Sequence, residues 1–327
     1  MTATGWIDIH AHFSTPSTDE QRHAAWEAMH KLGFMAPHPH VWTPETALAS
    51  MDRAGVAMQL LSNVPHTHAA LRDANTYGAT LVADHPSRFG LLAALPTDDP
   101  DAALAELDHA DGELSADGWA VSTTYAGVNL SSPSLEPVWA ELDRRHATVF
   151  VHPDTTTLPQ LGLPTPLVEV AFDTARTVVA MMYGGVFHRH PNIRFVLAHC
   201  GGALPGLSGR IGLLGTEAWV PGAAGITPDE IRAQLGRLYL DTAASGTDAN
   251  IAAALTMVPA DHIVYGTDSG VPCSTEDTIA ANIAALRDST VLDGAQVDHI
   301  GSRAFDLVPS AAHRHGGGDP RTTSPAR

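Results

Sequence analysis

The sequence contains very little positive charge. Its 327 residues include 18 Lys and Arg residues against 36 Asp and Glu residues, which gives a formal net charge of −18, and Lys31 is its only lysine. Without a cluster of basic residues to concentrate positive potential, a nucleic acid is not an expected partner. An anionic small-molecule substrate is compatible with this charge, because a metal ion or a few local arginines reverse the potential inside one pocket.

Cysteines, long apolar runs and a leader-like N-terminus are also lacking. The two cysteines, Cys200 and Cys273, are too few for a disulfide framework and favour a reducing compartment. No stretch approaches the roughly 18 consecutive apolar residues of a membrane span. The first residues lack the cationic flank and apolar core of a signal peptide. We therefore predict a cytoplasmic protein with no membrane association.

Short apolar runs alternate with segments of helical periodicity along most of the chain. Runs this short and this continuous suit parallel strands covered on both faces. Eight β–α units predict an α/β protein with a (β/α)8 TIM barrel. An open doubly wound sheet is the alternative, but no GxGxxG motif follows an early strand. The eight runs are 6–12, 57–64, 89–96, 118–125, 147–153, 193–200, 237–244 and 262–268.

Two segments depart from this alternation. The first β–α connection, from Ser14 to Trp42, is long and contains a predicted helix over 18–33. A connection of this length at the rim of a barrel is more often a lid or a pocket wall than a plain linker. The C-terminal stretch 313–327 is rich in Gly, Pro, Ser and Thr and has no apolar face. We predict one domain over 1–308 and a disordered tail over 309–327.

Histidine and aspartate stand at the ends of four predicted strands. The first strand ends in His10 and His12, the fifth in His152, the sixth in His199 and the eighth in Asp268. The carboxyl ends of barrel strands meet at one mouth, where barrel active sites are built. One such histidine alone is more often a core or rim residue, but the joint pattern predicts a metal site. Three imidazoles and a carboxylate with an open position suit a catalytic divalent ion, most naturally Zn²⁺.

These motifs resemble the amidohydrolase superfamily, and within it the metal-dependent, non-oxidative decarboxylases. That branch includes aminocarboxymuconate-semialdehyde, γ-resorcylate and 6-methylsalicylate decarboxylases, and the spacing from VFVHP through FDTAR to LAHCGG is most similar to the last group. The resemblance implies a (β/α)8 barrel, a mononuclear Zn²⁺ or Mn²⁺ without an organic cofactor, and a homodimer or higher oligomer. The matching stretches are DIHAHF, PETALASMDRAGVAMQLLS, VFVHP, FDTAR, NIRFVLAHCGGALPGLSGRI and YGTDS.

The resemblance also implies roles for individual residues. Asp268 and His199 would be catalytic, with His199 close to the metal but not necessarily bound to it. The implied metal ligands are His10, His12, His152 and Asp268.

Four further residues are candidate contacts of the substrate. Arg210 matches an arginine that in some members reaches a substrate carboxylate, including one in the neighbouring subunit, although an exposed helix arginine is the alternative. Arg176 in FDTAR is a weaker candidate, because it could pair with a nearby acid. Phe13 would wall the pocket or pack in the core. Ser269 stands where the family commonly has an aromatic residue, so we expect a roomier and more polar pocket beside the last aspartate.

The expected substrate is a monocarboxylate. The semialdehyde decarboxylase carries arginines for its dicarboxylate in the helix after W-x-P-E, whereas this chain has Ala47 and Ala49 there. We expect non-oxidative decarboxylation of an ortho-hydroxy aromatic, salicylate-like acid. Since direct loss of CO2 would leave an aryl carbanion, a protonated Asp268 would first deliver its proton to the ring carbon.

Two other functions use the same residues. A metal-bound hydroxide with Asp268 as its base would hydrolyse a lactone or an amide, and the ligand set does not distinguish this reaction from decarboxylation. A two-metal hydrolase with a carbamylated lysine is excluded, because the fourth predicted strand contains no lysine. An inactive metal-binding protein is disfavoured by the intact set of ligands.

Overall fold

The computed structural model describes residues 5–31, 33–155, 162–223 and 225–316. The strands of this part of the chain are β1 (Trp6–His12), β2 (Val56–Ser62), β3 (Phe89–Ala94), β4 (Gly118–Ser122), β5 (Thr124–Tyr125), β6 (Val128–Asn129), β7 (Thr148–His152), β8 (Arg194–Leu197), β9 (Tyr239–Asp241) and β10 (Ile263–Val264). Its helices are α1 (Asp19–Lys31), α2 (Pro44–Ala54), α3 (His68–Asp84), α4 (Pro100–Gly112), α5 (Glu136–Arg144), α6 (Glu169–Tyr183), α7 (Val186–Arg189), α8 (Leu204–Leu214), α9 (Pro228–Gly236), α10 (Asp248–Leu255), α11 (Glu276–Arg287), α12 (Gly294–Ser302), α13 (Ala304–Leu307) and α14 (Pro309–His315).

Eight of the strands form a parallel ring. Their order is β1-β2-β3-β4-β7-β8-β9-β10, and β5 pairs with β6 in a small antiparallel hairpin directly after β4. Backbone hydrogen bonds join β1 to the residues that follow β10: Ile9 N–H donates to Tyr265 O at 3.0 Å, and Asp268 N–H donates to His10 O at 2.8 Å. The predicted (β/α)8 barrel is therefore confirmed.

Local signals delimit the helices that connect these strands. The hydroxyl of Thr43 accepts a hydrogen bond from the Thr46 N–H, and Pro44 occupies the first turn of α2, where its missing N–H costs nothing. Gly55 ends the same helix in the left-handed conformation, with φ of 78°. Strand β2 begins at the next residue, so these caps determine where β2 enters the barrel.

The apolar residues of the strands form one buried layer outside the ring and one inside it. The inner layer includes Ile7, Ile9, Phe150, Val196 and Val264, all fully buried. Each such side chain contributes roughly 1.5–3 kcal/mol on burial. This filling makes the barrel a solid core and leaves its carboxyl-end mouth for polar side chains.

The C-terminal helices close the amino end of the barrel. Ala304, Leu307 and Val308 belong to the inner apolar layer, and so does Ala311 of α14. The guanidinium of Arg314 donates two hydrogen bonds to the Asp117 carboxylate, at 2.8 and 2.6 Å.

The predicted disorder from residue 309 is therefore wrong for residues 309–315. Their polar composition concealed one face of α14, because Ala311 and Arg314 are one helical turn apart and both are buried. The remainder of the predicted tail, 317–327, lies outside the described residues.

The long connection after β1 contains helix α1, which falls within the predicted range 18–33. This helix buries no residue in the barrel, but Met29 and Phe34 from the same connection line the cavity at the mouth. None of the described helices combines the length and the apolar character needed to cross a membrane.

Candidate active site

An irregularity in β1 places its histidines. Asp8 pairs with Gln59 of β2, and Ala11 pairs with Leu61, so three steps along β1 face two along β2. Such a bulge re-aims the side chains that follow it. As a result, the consecutive residues Ile9 and His10 both lie inside the barrel, with Ile9 packed in the inner apolar layer.

The fully buried carboxylate of Asp8 holds this bulge. Its Oδ1 accepts hydrogen bonds from the backbone N–H groups of His10 and Thr267, both at 3.0 Å, and its Oδ2 accepts one from the Gln59 amide, also at 3.0 Å. Burial raises the pKa of Asp8 to about 6, although the hydrogen bond from the Thr267 hydroxyl opposes this shift.

Four histidines and one aspartate converge at the mouth of the barrel. His10 Nε2 lies 3.0 Å from His12 Nε2, and both nitrogens lie 3.2 Å from Asp268 Oδ1. His199 Nε2 lies 3.6 Å from Asp268 Oδ2. The His152 ring centre is 4.9 Å from that of His12. The ligand atoms of His10, His152, His199 and Asp268 all lie within 4.8 Å of one another.

Hydrogen bonds at Nδ1 orient three of the imidazoles. The Nδ1 atoms of His12 and His152 lie 3.3 Å from Ser62 O and 2.9 Å from Pro153 O. His10 Nδ1 lies 2.7 Å from Oδ2 of Asp241. Because carbonyl and carboxylate oxygens only accept, Nδ1 carries a hydrogen in each of these rings, and Nε2 is the nitrogen that faces the site.

The fourth imidazole differs from the other three. The Nδ1 atom of His199 is buried and has no hydrogen-bond partner among the described residues. Its other ring nitrogen, Nε2, is the one that faces Asp268.

Two residues of the site have a strained backbone conformation. His199 and Asp268 have φ of 55° and 58°, in the left-handed region that costs a non-glycine residue about 1 kcal/mol or more. Gly270 has φ of 88°, and a Cβ atom there would lie 2.0 Å from His12 O. Glycine is therefore required where the chain turns from Asp268 across the end of β1.

Burial and neighbouring charges shift the pKa values of these side chains in different directions. Burial lowers the pKa of His10, but the Asp241 and Asp268 carboxylates outweigh it and raise that pKa to about 10. Burial lowers the pKa of His12 and lowers that of His152 further, with help from the neighbouring imidazoles. Burial raises the pKa of Asp268, whereas protonated His10 brings it well below the usual range. Without a metal, His10 therefore carries a second proton, whereas the imidazoles of His12 and His152 are neutral.

A cavity of about 600 Å³ opens from these residues. Its walls include Phe13, Met29, Phe34, Val64 and Val170, and the described residues that line it include no lysine and no arginine. A cavity of this size with a polar floor and apolar walls accommodates a small aromatic molecule.

Of the predicted substrate contacts, Phe13 lines the cavity and Ser269 does not. The Phe13 ring also packs against Trp42 and Tyr77, with 6.1 Å between ring centres in each pair. The hydroxyl of Ser269 instead accepts a hydrogen bond from the Gln59 amide at 2.7 Å, which turns it away from the cavity. Ser269 therefore does not supply the polar wall that was expected beside Asp268.

The two predicted arginines do not reach the cavity of their own chain. Arg176 lies on the exposed face of α6, where its guanidinium stacks over the Phe172 ring at 5.7 Å. Arg210 lies on the exposed face of α8. Their helices turn other residues, such as Ala175 and Leu204, toward the barrel.

Sequence reasoning missed three residues of the site. Asp241 bonds to His10, Asp154 lines the cavity, and Cys273 Sγ lies 3.8 Å from Asp268 Oδ2. Two signals were present, because Asp241 is a polar residue within the seventh apolar run and Asp154 follows His152 by two positions.

The sequence matches a known protein family and two decarboxylases. The model of a family described as amidohydrolase matches residues 7–301. The decarboxylase yanB of Aspergillus niger is 33% identical, over 93% of this chain and 87% of its own. The 6-methylsalicylic acid decarboxylase acuB of Aspergillus aculeatus is 29% identical, over 96% of this chain and 99% of its own.

A solved structure shares the fold. It is a dihydroxybenzoic acid decarboxylase from Polaromonas sp. JS666 with bound manganese and the inhibitor 2-nitroresorcinol. It superposes with a TM-score of 0.73 at 23% identity, over 94% of this chain and 97% of that one.

Proposed function

The chain belongs to the amidohydrolase family, and from this premise we propose that it is a metal-dependent, non-oxidative decarboxylase of an ortho-hydroxy aromatic acid. The observation that carries this proposal is the cluster of imidazoles around Asp268, set in the floor of a cavity with apolar walls. Both relatives are decarboxylases, which supports a carboxy-lyase rather than a hydrolase of a lactone or an amide.

The donor atoms of the site fit a divalent metal. Neutral imidazole nitrogens and a carboxylate oxygen suit Zn²⁺, and Mn²⁺ accepts the same set. The metal would orient the carboxylate and phenol oxygens of the substrate and offset their negative charge. We assign the ligands to His10, His12, His152 and Asp268, with His199 beside them.

The substrate proposal follows from charge and shape. Since no lysine or arginine lines the cavity among the described residues, a second anionic group on the ring would have no cationic side chain to meet it. We therefore propose a monocarboxylate whose other ring substituents are neutral, flanked by Phe13 and the aliphatic wall residues.

Asp268 is the proposed proton donor. It transfers its carboxyl proton to the ring carbon that bears the substrate carboxylate, and an electron pair of the ring forms the new C–H bond. The bond to the carboxylate then breaks, CO2 leaves, and the bonding pair restores the aromatic ring. Asp268 remains as a carboxylate and takes a proton from water before the next turnover.

The surroundings of Asp268 decide when it holds this proton. Before a metal binds, burial of Asp268 raises its pKa, and protonated His10 lowers it. The carboxylate of a bound substrate adds a negative charge next to Asp268, which raises its pKa toward that of a proton donor. His199, 3.6 Å from Asp268 Oδ2, is placed to hold that oxygen or the substrate carboxylate.

We also propose that the protein is a homo-oligomer located in the cytoplasm. Leu213, three residues after Arg210 in α8, is 75% exposed, and Trp219, which follows this helix in the chain, is 69% exposed. These exposed apolar side chains support a homodimer or higher oligomer. In such an oligomer Arg210 is available to a neighbouring subunit. The free thiols Cys200 and Cys273 support a cytoplasmic location.

The test is an assay of the purified protein loaded with Zn²⁺ or with Mn²⁺. The substrates are salicylate, 6-methylsalicylate and 2,6-dihydroxybenzoate, with 4-hydroxybenzoate as the control that lacks an ortho hydroxyl. We expect metal-dependent release of CO2 and one phenol per CO2 from an ortho-hydroxy acid only. Hydrolysis of a lactone or an amide, without CO2 release from any of the acids, would overturn the proposal.

A further inference from the structure

The hydrogen bond between Asp241 and His10 crosses over a strand. Asp241 ends β9, and His10 lies in β1, but the ring order places β10 and the residues after it between those two strands. The two side chains nevertheless meet at 2.7 Å, and neither is exposed to solvent. Buried charged groups at this distance require a specific arrangement of the backbone beneath them.

Gly266 provides the space for this crossing. A Cβ atom at residue 266 would lie 3.0 Å from the His10 Cβ, 3.1 Å from the Asp241 Cβ and 3.2 Å from the Asp241 Cγ. The backbone of Gly266 is not in the left-handed conformation, so its dihedral angles do not require glycine. Glycine is required instead because the side chains of His10 and Asp241 pass so close to this position.

Asp241 is itself held in place. Its Oδ1 accepts a hydrogen bond from the Ala243 N–H at 2.9 Å, which leaves Oδ2 directed at His10. A carboxylate fixed in this way accepts only from an Nδ1 that carries hydrogen. Nε2 of His10 is then the ring nitrogen that faces His12 Nε2 and Asp268 Oδ1.

We propose that Asp241 and Gly266 are positioning residues of the metal site. Asp241 selects the tautomer and the ring orientation of His10, and Gly266 keeps open the passage through which Asp241 reaches it. Partners of this kind change metal affinity without touching the metal or the substrate. The proposal rests on the metal site of the proposed function and not on its substrate.

The first test is Asp241→Asn, which preserves shape but leaves one oxygen to accept from two donors. Either Ala243 N–H or His10 then faces the new NH2 group. We expect metal affinity to fall by about 10–100-fold, as measured by competition with a chromophoric chelator for Zn²⁺ and separately for Mn²⁺.

The second test is Gly266→Ala, which retains every functional group and adds one methyl. His10 and Asp241 must shift by a few tenths of an ångström, so we expect weaker metal binding here too. This variant decides the proposal if Asp241→Asn does not fold.

Asp117→Asn is the matched control. Asp117 is also a buried carboxylate, but it pairs with Arg314 at the amino end of the barrel. We expect it to lower the free energy of unfolding without changing the dissociation constant for metal. The proposal is overturned if Asp241→Asn or Gly266→Ala, once folded, binds metal with wild-type affinity, or if Asp117→Asn weakens binding equally. Because chelator competition needs no substrate, a failure of the decarboxylase assay leaves this result intact.

Discussion

The sulfur atom of Cys273 lies 3.8 Å from Oδ2 of Asp268, at the wall of the cavity. Asp268 Oδ1 faces His10 and His12, whereas Oδ2 faces Cys273 and His199. The two oxygens of one carboxylate therefore have different neighbours. The thiol is a neutral group beside the proposed proton donor.

The first prediction concerns this thiol. Burial, reinforced by the charge of Asp268, raises the pKa of Cys273 to about 12 from an ordinary 9.0. At pH 8 its thiolate fraction is therefore far below that of a free cysteine, and the thiolate is the reactive form. We expect iodoacetamide to alkylate Cys273 much more slowly in the native protein than in urea, as measured by peptide mass spectrometry. Equal rates in the two states would contradict a half-buried, neutral thiol.

The second prediction concerns proton release on metal binding. The pKa of His10 is about 10, so at pH 7 this ring carries an extra proton that must leave before Nε2 binds a metal. Apparent affinity should therefore fall as pH decreases, by about tenfold per unit for one proton. Calorimetric titration with Zn²⁺ in two buffers of different ionisation enthalpy should report about one proton released by His10 per metal bound. An enthalpy independent of the buffer would show that His10 is already neutral.

The third prediction concerns the proton donor. Asp268→Asn removes the carboxyl proton but keeps an oxygen at the site, so we expect kcat to fall by about 10²–10⁴-fold. Metal content measured on the same sample separates loss of the proton donor from loss of the metal. Near-normal kcat in a fully loaded Asp268→Asn variant would rule out its assignment as the acid.

The fourth prediction concerns stability and pH. The Arg144 side chain, with Arg145, lowers the pKa of Glu141 to about 2 from 4.5. A depressed carboxyl pKa contributes stability above the unfolded value, and this contribution is lost as pH falls from about 4.5 toward 2. Glu141→Gln should therefore cost about 1–3 kcal/mol at pH 7 and progressively less below pH 4.5, by urea unfolding.

Asp229→Asn is the control for that measurement. Asp229 pairs with Arg232 in the same i, i+3 arrangement, but both side chains are largely exposed. We expect a change below about 0.5 kcal/mol for this variant. A similar cost for the two variants would mean that burial of Glu141 contributes nothing.

Much of the barrel could be predicted from local patterns. Each of the eight apolar runs overlaps a strand of the ring, and the family resemblance is confirmed. The later runs were predicted too long, because β9 ends at Asp241 and β10 at Val264, after which the chain turns into the mouth. Strand ends are less predictable than strands, since a few dihedral angles such as that of Asp268 decide them.

The substrate contacts were predicted less well. Arg176 and Arg210 fall within matching motifs, yet both lie on outward helix faces. Ser269 is next to the site in sequence, but its hydroxyl bonds to Gln59. A motif specifies a residue type at a position, whereas the direction of its side chain depends on neighbours that are distant in sequence.

The sequence by itself determined the barrel and the convergence of His10, His12, His152, His199 and Asp268, because strand periodicity and parallel order bring strand ends to one mouth. Only the tertiary structure decided how those side chains are held. The bulge at Asp8, the passage over Gly266 and the reach of Asp241 to His10 depend on contacts between strands far apart in the chain. No local pattern encodes such contacts, since each requires the complete ring.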